Sequence, residues 1–391
     1  MDVKKASLAL HKKLKGKIGM RSRVSIDSHK DLEIIYSPGV AEPCLAIEKD
    51  LALSYVYTRR HNSVAIITDG SAVLGLGNIG PEASMPVMEG KAALLKHLGD
   101  VDAIPLCLKT QEPNTIVSIV HALSGNFSGI NLEDIAAPRC FEIEALLKER
   151  CDIPIFHDDQ HGTAIAVLAG MINALKLTNK TAENIKVVIN GIGAAGSAIA
   201  ESLMEYGVKE LILCDKNGIL SPDDSSLFNK QKALAQKTNP KNIQGDLKAA
   251  CHGADMFIGV SVPNCLTIEA VKTMKRDPII FALANPKPEI ASRDAFSAGA
   301  KIVATGLSNT PNQINNLLAF PGIFRGALDA SAGEINKSMM IAAAQAIASC
   351  VSKHDLSKGL IVPSPLNKTV HQAVAKAVKD AALSSNVKKT H

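Results

Sequence analysis

Along the chain, short apolar runs rich in β-branched residues alternate with longer stretches in which apolar positions recur every three or four residues. That alternation predicts parallel α/β sheets joined by crossover helices. In the first half, strands are expected at "SVAIITDG", "VDAIPLCL", "FSGINLED" and "IPIFHDD", with helices over about 86–98, 113–123, 138–149 and 161–177. The second half restarts with "IKVVIN", a helix over about 194–206, and "ELILCD". Strands are then expected at "MFIGVS", "PIIFALAN" and "KIVATG", followed by an alanine-rich helix over about 331–353 and, after "IVPSP", a last helix. The polar stretch 178–184 is the sharpest break in the pattern. The expected organisation is an N-terminal α/β substrate- and metal-binding domain over 1–160 and a Rossmann-type, doubly wound parallel-sheet NAD(P)-binding domain over 161–360. A C-terminal helical segment, 361–391, is too short to fold alone and is expected to pack back on one of them.

Composition removes several classes. The 391 residues are 46% hydrophobic and 21% charged, enough for two globular cores. With 3% aromatics, no Trp and a net charge of +5 spread along the chain, there is no basic stacking surface for nucleic acid. No apolar run approaches the roughly 18 residues that a membrane span needs. Eight cysteines without a CxxC pair, mostly in apolar runs, read as reduced thiols of a cytoplasmic protein. The basic N-terminus lacks the apolar core of a signal peptide and is expected to form an amphipathic surface helix.

The pattern GxGxxG occurs twice. Gly191, Gly193 and Gly196, with Ala194 and Ala195 between them, follow an apolar run and open a helix, and the next strand ends at Asp215. That context is the dinucleotide fingerprint: glycines admit a pyrophosphate to a helix N-terminus, and the acid binds ribose hydroxyls. Asp215 favours NAD, because a carboxylate repels a 2′-phosphate; Lys216 beside it works the other way, leaving NADP open. The earlier copy, Gly75, Gly77 and Gly80, is followed by Pro81 and lacks the acid, so it reads as a tight loop of unusual dihedral angles.

Candidate chemistry gathers elsewhere. Glu133 and Asp134 close one predicted strand, and Asp158 and Asp159 close another. Matching acid pairs at strand ends suit Mg²⁺ or Mn²⁺, hard cations that take oxygen ligands. Two other readings stay open: helix capping by Asp158 or Asp159, and a zinc site through His157 and His161, which have the spacing but not the glutamate of HExxH. Lys91 lies on the apolar stripe of its helix, marked by Val87, Leu94, Leu95 and Leu98. A buried amine must be paired or lose its proton, and beside a cation it is a competent base; a snorkelling or structural lysine is the plain alternative. Tyr36 follows an apolar run into a Pro-Gly turn.

Together these segments resemble the malic enzyme family, in particular its short prokaryotic-type branch. The matches are "YSPGVAEPC", "TDGSAVLGLGNIGP", "MPVMEGKAALLK", "NLEDI", "FHDDQHGTA", "NGIGAAG", "FALANP" and "NQINNLLAFPGIFRGALD", in order from about residue 30 to 330. The resemblance implies oxidative decarboxylation of L-malate to pyruvate and CO₂ with reduction of NAD(P)⁺. It implies Lys91 as general base, Tyr36 as general acid, Glu133, Asp134 and Asp159 as ligands of Mg²⁺ or Mn²⁺, and Asp158 as their neighbour. Asn285 and Asn315 match asparagines that contact malate, with Asn316 one position away; Asn285 also borders the cofactor site. Where larger members carry a carboxylate-binding arginine, this chain reads Ser71-Ala72-Val73. A homodimer is expected from the family. Malolactic or oxaloacetate-decarboxylating turnover at the same site and a non-catalytic NAD sensor are the alternatives.

Overall fold

A computed structural model describes residues 2–73 and 75–387. An N-terminal arm carries helices α1 (Val3–Leu14) and α2 (His29–Ile35), and no side chain of residues 2–62 is buried. The first sheet follows: β1 (Ser63–Thr68), β2 (Asp102–Cys107), β3 (Gly129–Leu132) and β4 (Ile155–His157), in spatial order β2-β1-β3-β4 and parallel throughout. Its crossovers are α3 (Pro81–Gly99), α4 (Pro113–Leu123) and α5 (Arg139–Arg150). Because every pairing is parallel, all four carboxyl ends lie on one edge. The register Ile67↔Leu132 and Leu132↔His157 makes the residues after β1, β3 and β4 neighbours.

A 21-residue helix, α6 (Asp158–Thr178), leaves β4 directly and leads to the second sheet. Its strands are β5 (Lys186–Asn190), β6 (Glu210–Asp215), β7 (Gly218–Ile219), β8 (Met256–Gly259), β9 (Ile279–Ala282) and β10 (Ile302–Thr305), ordered β10-β9-β8-β5-β6-β7. Only β7 is antiparallel. The chain doubles back between β5 and β8, the switch point at which doubly wound sheets bind ligands. Helix α7 (Ala194–Glu205) follows β5, and α8 (Phe320–Asp329), α9 (Lys337–Ser349) and α10 (Lys368–Ser384) close the chain.

One core joins the two sheets: Val64, Ile66, Met88 and Phe156 pack in the same cluster as α6, Ile189, Phe281 and α8 to α10. Two further clusters cover the outer faces of the sheets. The nine expected strands are present, the short β7 is an addition, and the helices differ in their ends. Helix α3 begins at Pro81, whose fixed φ suits a first helical position, rather than at 86. Helix α6 begins at Asp158, not 161, and the alanine-rich helix is the shorter α9, preceded by an unforeseen α8. The stripe of α3 is Met88, Lys91, Ala92, Leu95 and Leu98; Val87, expected on it, is 43% exposed. All eight cysteines are free, and among the described residues no helix is long and apolar enough to cross a membrane.

Candidate active site

At the carboxyl edge of the first sheet, Glu133 and Asp134 leave β3 while Asp158 and Asp159 form the first turn of α6. Ligand oxygens of Glu133, Asp134 and Asp159 lie within 4.8 Å of one another. The main chain bends to achieve this: Asp134 has φ +53°, and its N–H donates to Asp159 Oδ2 at 2.8 Å. Asn131 Nδ2 donates to Glu133 Oε2 at 2.9 Å.

Burial pushes all three carboxyls above the ordinary range, Asp134 to about 9, because each must be charged in a low dielectric beside the others. Asp134 Oδ2 is buried with no partner. Three crowded acids with an orphaned oxygen fit a hard dication, whose charge would offset theirs in the buried site.

Lys91 reaches this cluster from α3 and is 6% exposed. Its Nζ donates to Glu133 Oε1 at 2.7 Å and, in a short contact, to Asp158 Oδ2; it also lies 4.2 Å from the centroid of the Phe320 ring. Burial alone would push the amine down, but Asp158 and then Glu133 outweigh it and hold the ammonium above the ordinary lysine value. Asp158 is fully buried, and burial raises its carboxyl to about 8. Gly162, one turn along α6, makes room: a Cβ there would lie 1.8 Å from Asp158 Oδ1.

The capping reading fails on this geometry. The N-cap of α6 is His157, without a side-chain cap bond, and the two aspartates turn to Lys91 and to the Asp134 N–H. The zinc reading fails as well. His161 Nε2 pairs with Glu144 Oε1 at 2.7 Å, Gln160 Nε2 donates to Glu144 Oε2 at 3.1 Å, and no histidine joins the ligand cluster among the described residues. His157 is buried behind Asp159, and burial lowers its ring to about 4, so it is neutral at physiological pH.

Of the two asparagines whose register was open, Asn316 reaches the cluster: its Nδ2 donates to Asp158 Oδ2 at 2.5 Å. Asn315 instead accepts the Leu317 N–H at 2.8 Å, capping a short 3₁₀ turn, so its side-chain oxygen is committed locally. Of the pair left open by the sequence, Asn316 is thus the one whose side chain meets Asp158. Asn285 follows β9, its Nδ2 donating to Leu283 O at 3.3 Å. The loop holding Gly75, Gly77 and Gly80 does adopt positive φ at all three, and Gly75 lies beside Pro286. Ser71-Ala72-Val73 offers no cation; Ala72 N–H donates to Asp134 O at 2.9 Å.

At the switch point of the second sheet, Gly191 has φ +99° and Gly193 caps α7. A Cβ on Gly196 would lie 1.8 Å from Gly191 O, so the turn closes only with glycine. Ala194 and Ala195 begin the helix whose N-terminus faces a phosphate in such folds. Asp215 ends β6 and accepts the Asn217 N–H at 2.7 Å; Lys216 is exposed. Tyr36 is 68% exposed at the end of α2 and shares no hydrogen bond with the Lys91 cluster.

A carboxylate cluster wrapped around an amine on one sheet edge, and a glycine-lined helix N-terminus on the other, define a metal-assisted, dinucleotide-dependent oxidoreductase. Comparison with known proteins narrows the class. A family model described as "Malic enzyme, N-terminal domain" matches residues 15–148, and one described as "Malic enzyme, NAD binding domain" matches residues 160–383. The chain is 53% identical to the bifunctional malic/malolactic enzyme of Bacillus subtilis, covering 99% of this chain and 95% of that protein. It is 51% identical to the NAD-dependent malic enzyme of Geobacillus stearothermophilus over 95% of this chain and 78% of that one. The crystal structure of the NAD-dependent malic enzyme from Thermotoga maritima has the same fold, with a TM-score of 0.92 at 49% identity, covering 95% and 98% of the two chains. The chain belongs to the malic enzyme family.

Proposed function

We propose that the protein converts L-malate and NAD⁺ to pyruvate, CO₂ and NADH. The observation that carries this reading is the buried amine of Lys91, held against the carboxylates that gather for a cation. Residues before about 160 supply that cluster, 161–360 the nucleotide site, and the segment from 361 braces α8 and α9 through α10.

Hydride leaves C2 of malate for the nicotinamide while Lys91 Nζ takes the C2 hydroxyl proton. Lys91 must first be neutral. A dication on Glu133 and Asp159 would remove part of the support for the ammonium and leave Asp158 alone against burial, which loosens its hold on the proton. Glu133, Asp134 and Asp159 would hold Mg²⁺ or Mn²⁺, which supplies Lewis-acid stabilisation of charge on the C2 oxygen. Asp158 keeps Nζ in place, and Asn316 and Asn285 orient malate. The oxaloacetate so formed loses C4 as CO₂, the C3–C4 electron pair giving the enolate, and Tyr36 then protonates C3, with Lys91 as the source of the proton.

Tyr36 lies on an arm that exposes Leu8, Met20, Ile34, Leu51 and Val56. Our reading is that a second copy of the chain covers this apolar surface, in a homodimer. Tyr36 of the partner subunit then reaches each Lys91 cluster. The free cysteines suit the cytoplasm.

The test is absorbance at the NADH band with L-malate and Mn²⁺, NAD⁺ and NADP⁺ compared side by side. NADH is expected in step with malate consumed, with NAD⁺ preferred because of Asp215. The bifunctional relative favours a second reading, malolactic turnover at the same site; malate consumed without net NADH would establish it.

A further inference from the structure

Glu289, a carboxylate outside the mechanism, is 0% exposed. Its two oxygens are both spent on main-chain donors from different loops. Oε1 accepts the N–H of Ser261, two residues beyond β8, at 2.9 Å, with Ser261 Oγ at 3.5 Å. Oε2 accepts the N–H of Ala284, beyond β9, at 3.0 Å. Ser261 Oγ in turn accepts from Asn190 Nδ2 at 2.8 Å, and Asn190 ends β5 immediately before Gly191. One carboxylate thus joins the carboxyl ends of β5, β8 and β9, the strands around the switch point. The fold clears space for it: a Cβ on Gly259 would lie 2.4 Å from Glu289 Cδ.

Resting on the malate reading above, we propose that Glu289 is a positioning residue for hydride transfer. Through Ser261 it fixes the floor of the nucleotide cleft, and through Ala284 it fixes Asn285 against malate. Glutamate is required because two N–H donors converge on it. Glutamine offers one acceptor and turns an N–H₂ towards the other donor. A small slip of either loop misaligns C2 of malate and the nicotinamide, and a displacement near 1 Å costs about a hundredfold in rate.

The experiment compares wild-type protein with Glu289→Gln and Gly259→Ala, the second displacing the carboxylate while keeping every polar group. Turnover, the deuterium isotope effect with malate deuterated at C2, thermal unfolding and Mn²⁺ binding by calorimetry are read for each. Both variants should lose about a hundredfold in kcat, show a larger isotope effect, and bind Mn²⁺ as wild type does. Wild-type turnover in a folded Glu289→Gln protein would overturn the proposal, as would loss of Mn²⁺ binding together with activity, which marks general damage. A wild-type protein inert towards malate would sink the functional reading instead; NADH titration of the variants, expected to be weakened, still tests the staple.

Discussion

The two sheets end in opposite ways. The carboxyl edge of β1–β4 is crowded with charge: Asp69, Glu133, Asp134, Asp158 and Lys91 are all buried there. The corresponding edge at β5 presents glycine and main chain, with Gly191, Gly193 and Gly196 where side chains would stand. In the proposed reaction the first edge moves protons and holds a cation, which requires titratable groups taken out of water at considerable cost. The second must let a pyrophosphate approach helix dipoles, which requires atoms to be missing. Chemistry is placed by side chains on one sheet and by their absence on the other.

The largest break of this comparison comes from Lys91→Ala. It should lower kcat by about 10²–10⁴, the usual worth of a proton-transfer group, while NADH binding at the other edge is untouched. Stopped-flow turnover and NADH fluorescence titration check it. Unchanged turnover would remove Lys91 as base.

Two glycines allow a matched test at smaller amplitude. Alanine at 162 intrudes on a side chain, Asp158 Oδ1, and alanine at 196 on main chain, Gly191 O, each at 1.8 Å. Gly162→Ala should lower kcat about tenfold or more with nucleotide affinity intact, because the counter-ion of Lys91 is displaced. Gly196→Ala should raise KM for NAD⁺ by a similar factor, since main chain cannot yield. Identical kinetic profiles for the two variants would erase the proposed division between the edges.

Much of this was legible in the sequence, for reasons that differ by residue. The strands showed because strands buried on both faces are nearly continuous apolar runs. Lys91 showed because a charge on an apolar stripe is anomalous, even though the stripe is centred on Met88 and Leu95 rather than Val87. Helix α8 did not show, because the Pro and Gly of "FPGIFRGALD" read as breakers. Pro321 lies in the first turn, where it is tolerated, and Gly322 and Gly326 abut Val374 and Val378 of α10, a tertiary contact invisible to local pattern. Nor could pattern choose between Asn315 and Asn316, which differ only in which side of a 3₁₀ turn each occupies. Tyr36 is exposed at the end of α2, so the role proposed for it rests on the proposed dimer.

That asparagine pair sharpens the first edge further. Asn316→Ala should raise KM for malate about tenfold and also lower kcat, because Asp158 loses a hydrogen-bond donor as well as malate losing a contact. Asn315→Ala removes only a local cap and should cost about 1 kcal/mol of stability with turnover near wild type. The reverse ranking, measured by steady-state kinetics and thermal unfolding, would restore the register first expected.

The smallest effect concerns the acids without their cation. Asp134 is held at about 9 by burial, then by Asp159 and Glu133, against an ordinary value of 3.8. In the unfolded chain it ionises above roughly pH 4; in the folded chain it keeps its proton until about 9. Its contribution therefore favours folding below that lower value and is lost as pH rises towards the upper one, so metal-free protein should weaken across the window. A dication needs ionised carboxylates and must displace those protons, so its binding tightens as pH rises. Mn²⁺ should accordingly raise Tm by a few degrees, with a larger increment near pH 8 than near pH 6. Asp159→Asn should abolish the increment at both, while NADH still raises Tm through the glycine edge. A Mn²⁺ increment that shrank with rising pH, or survived Asp159→Asn, would place the cation somewhere other than the carboxylates of the first sheet.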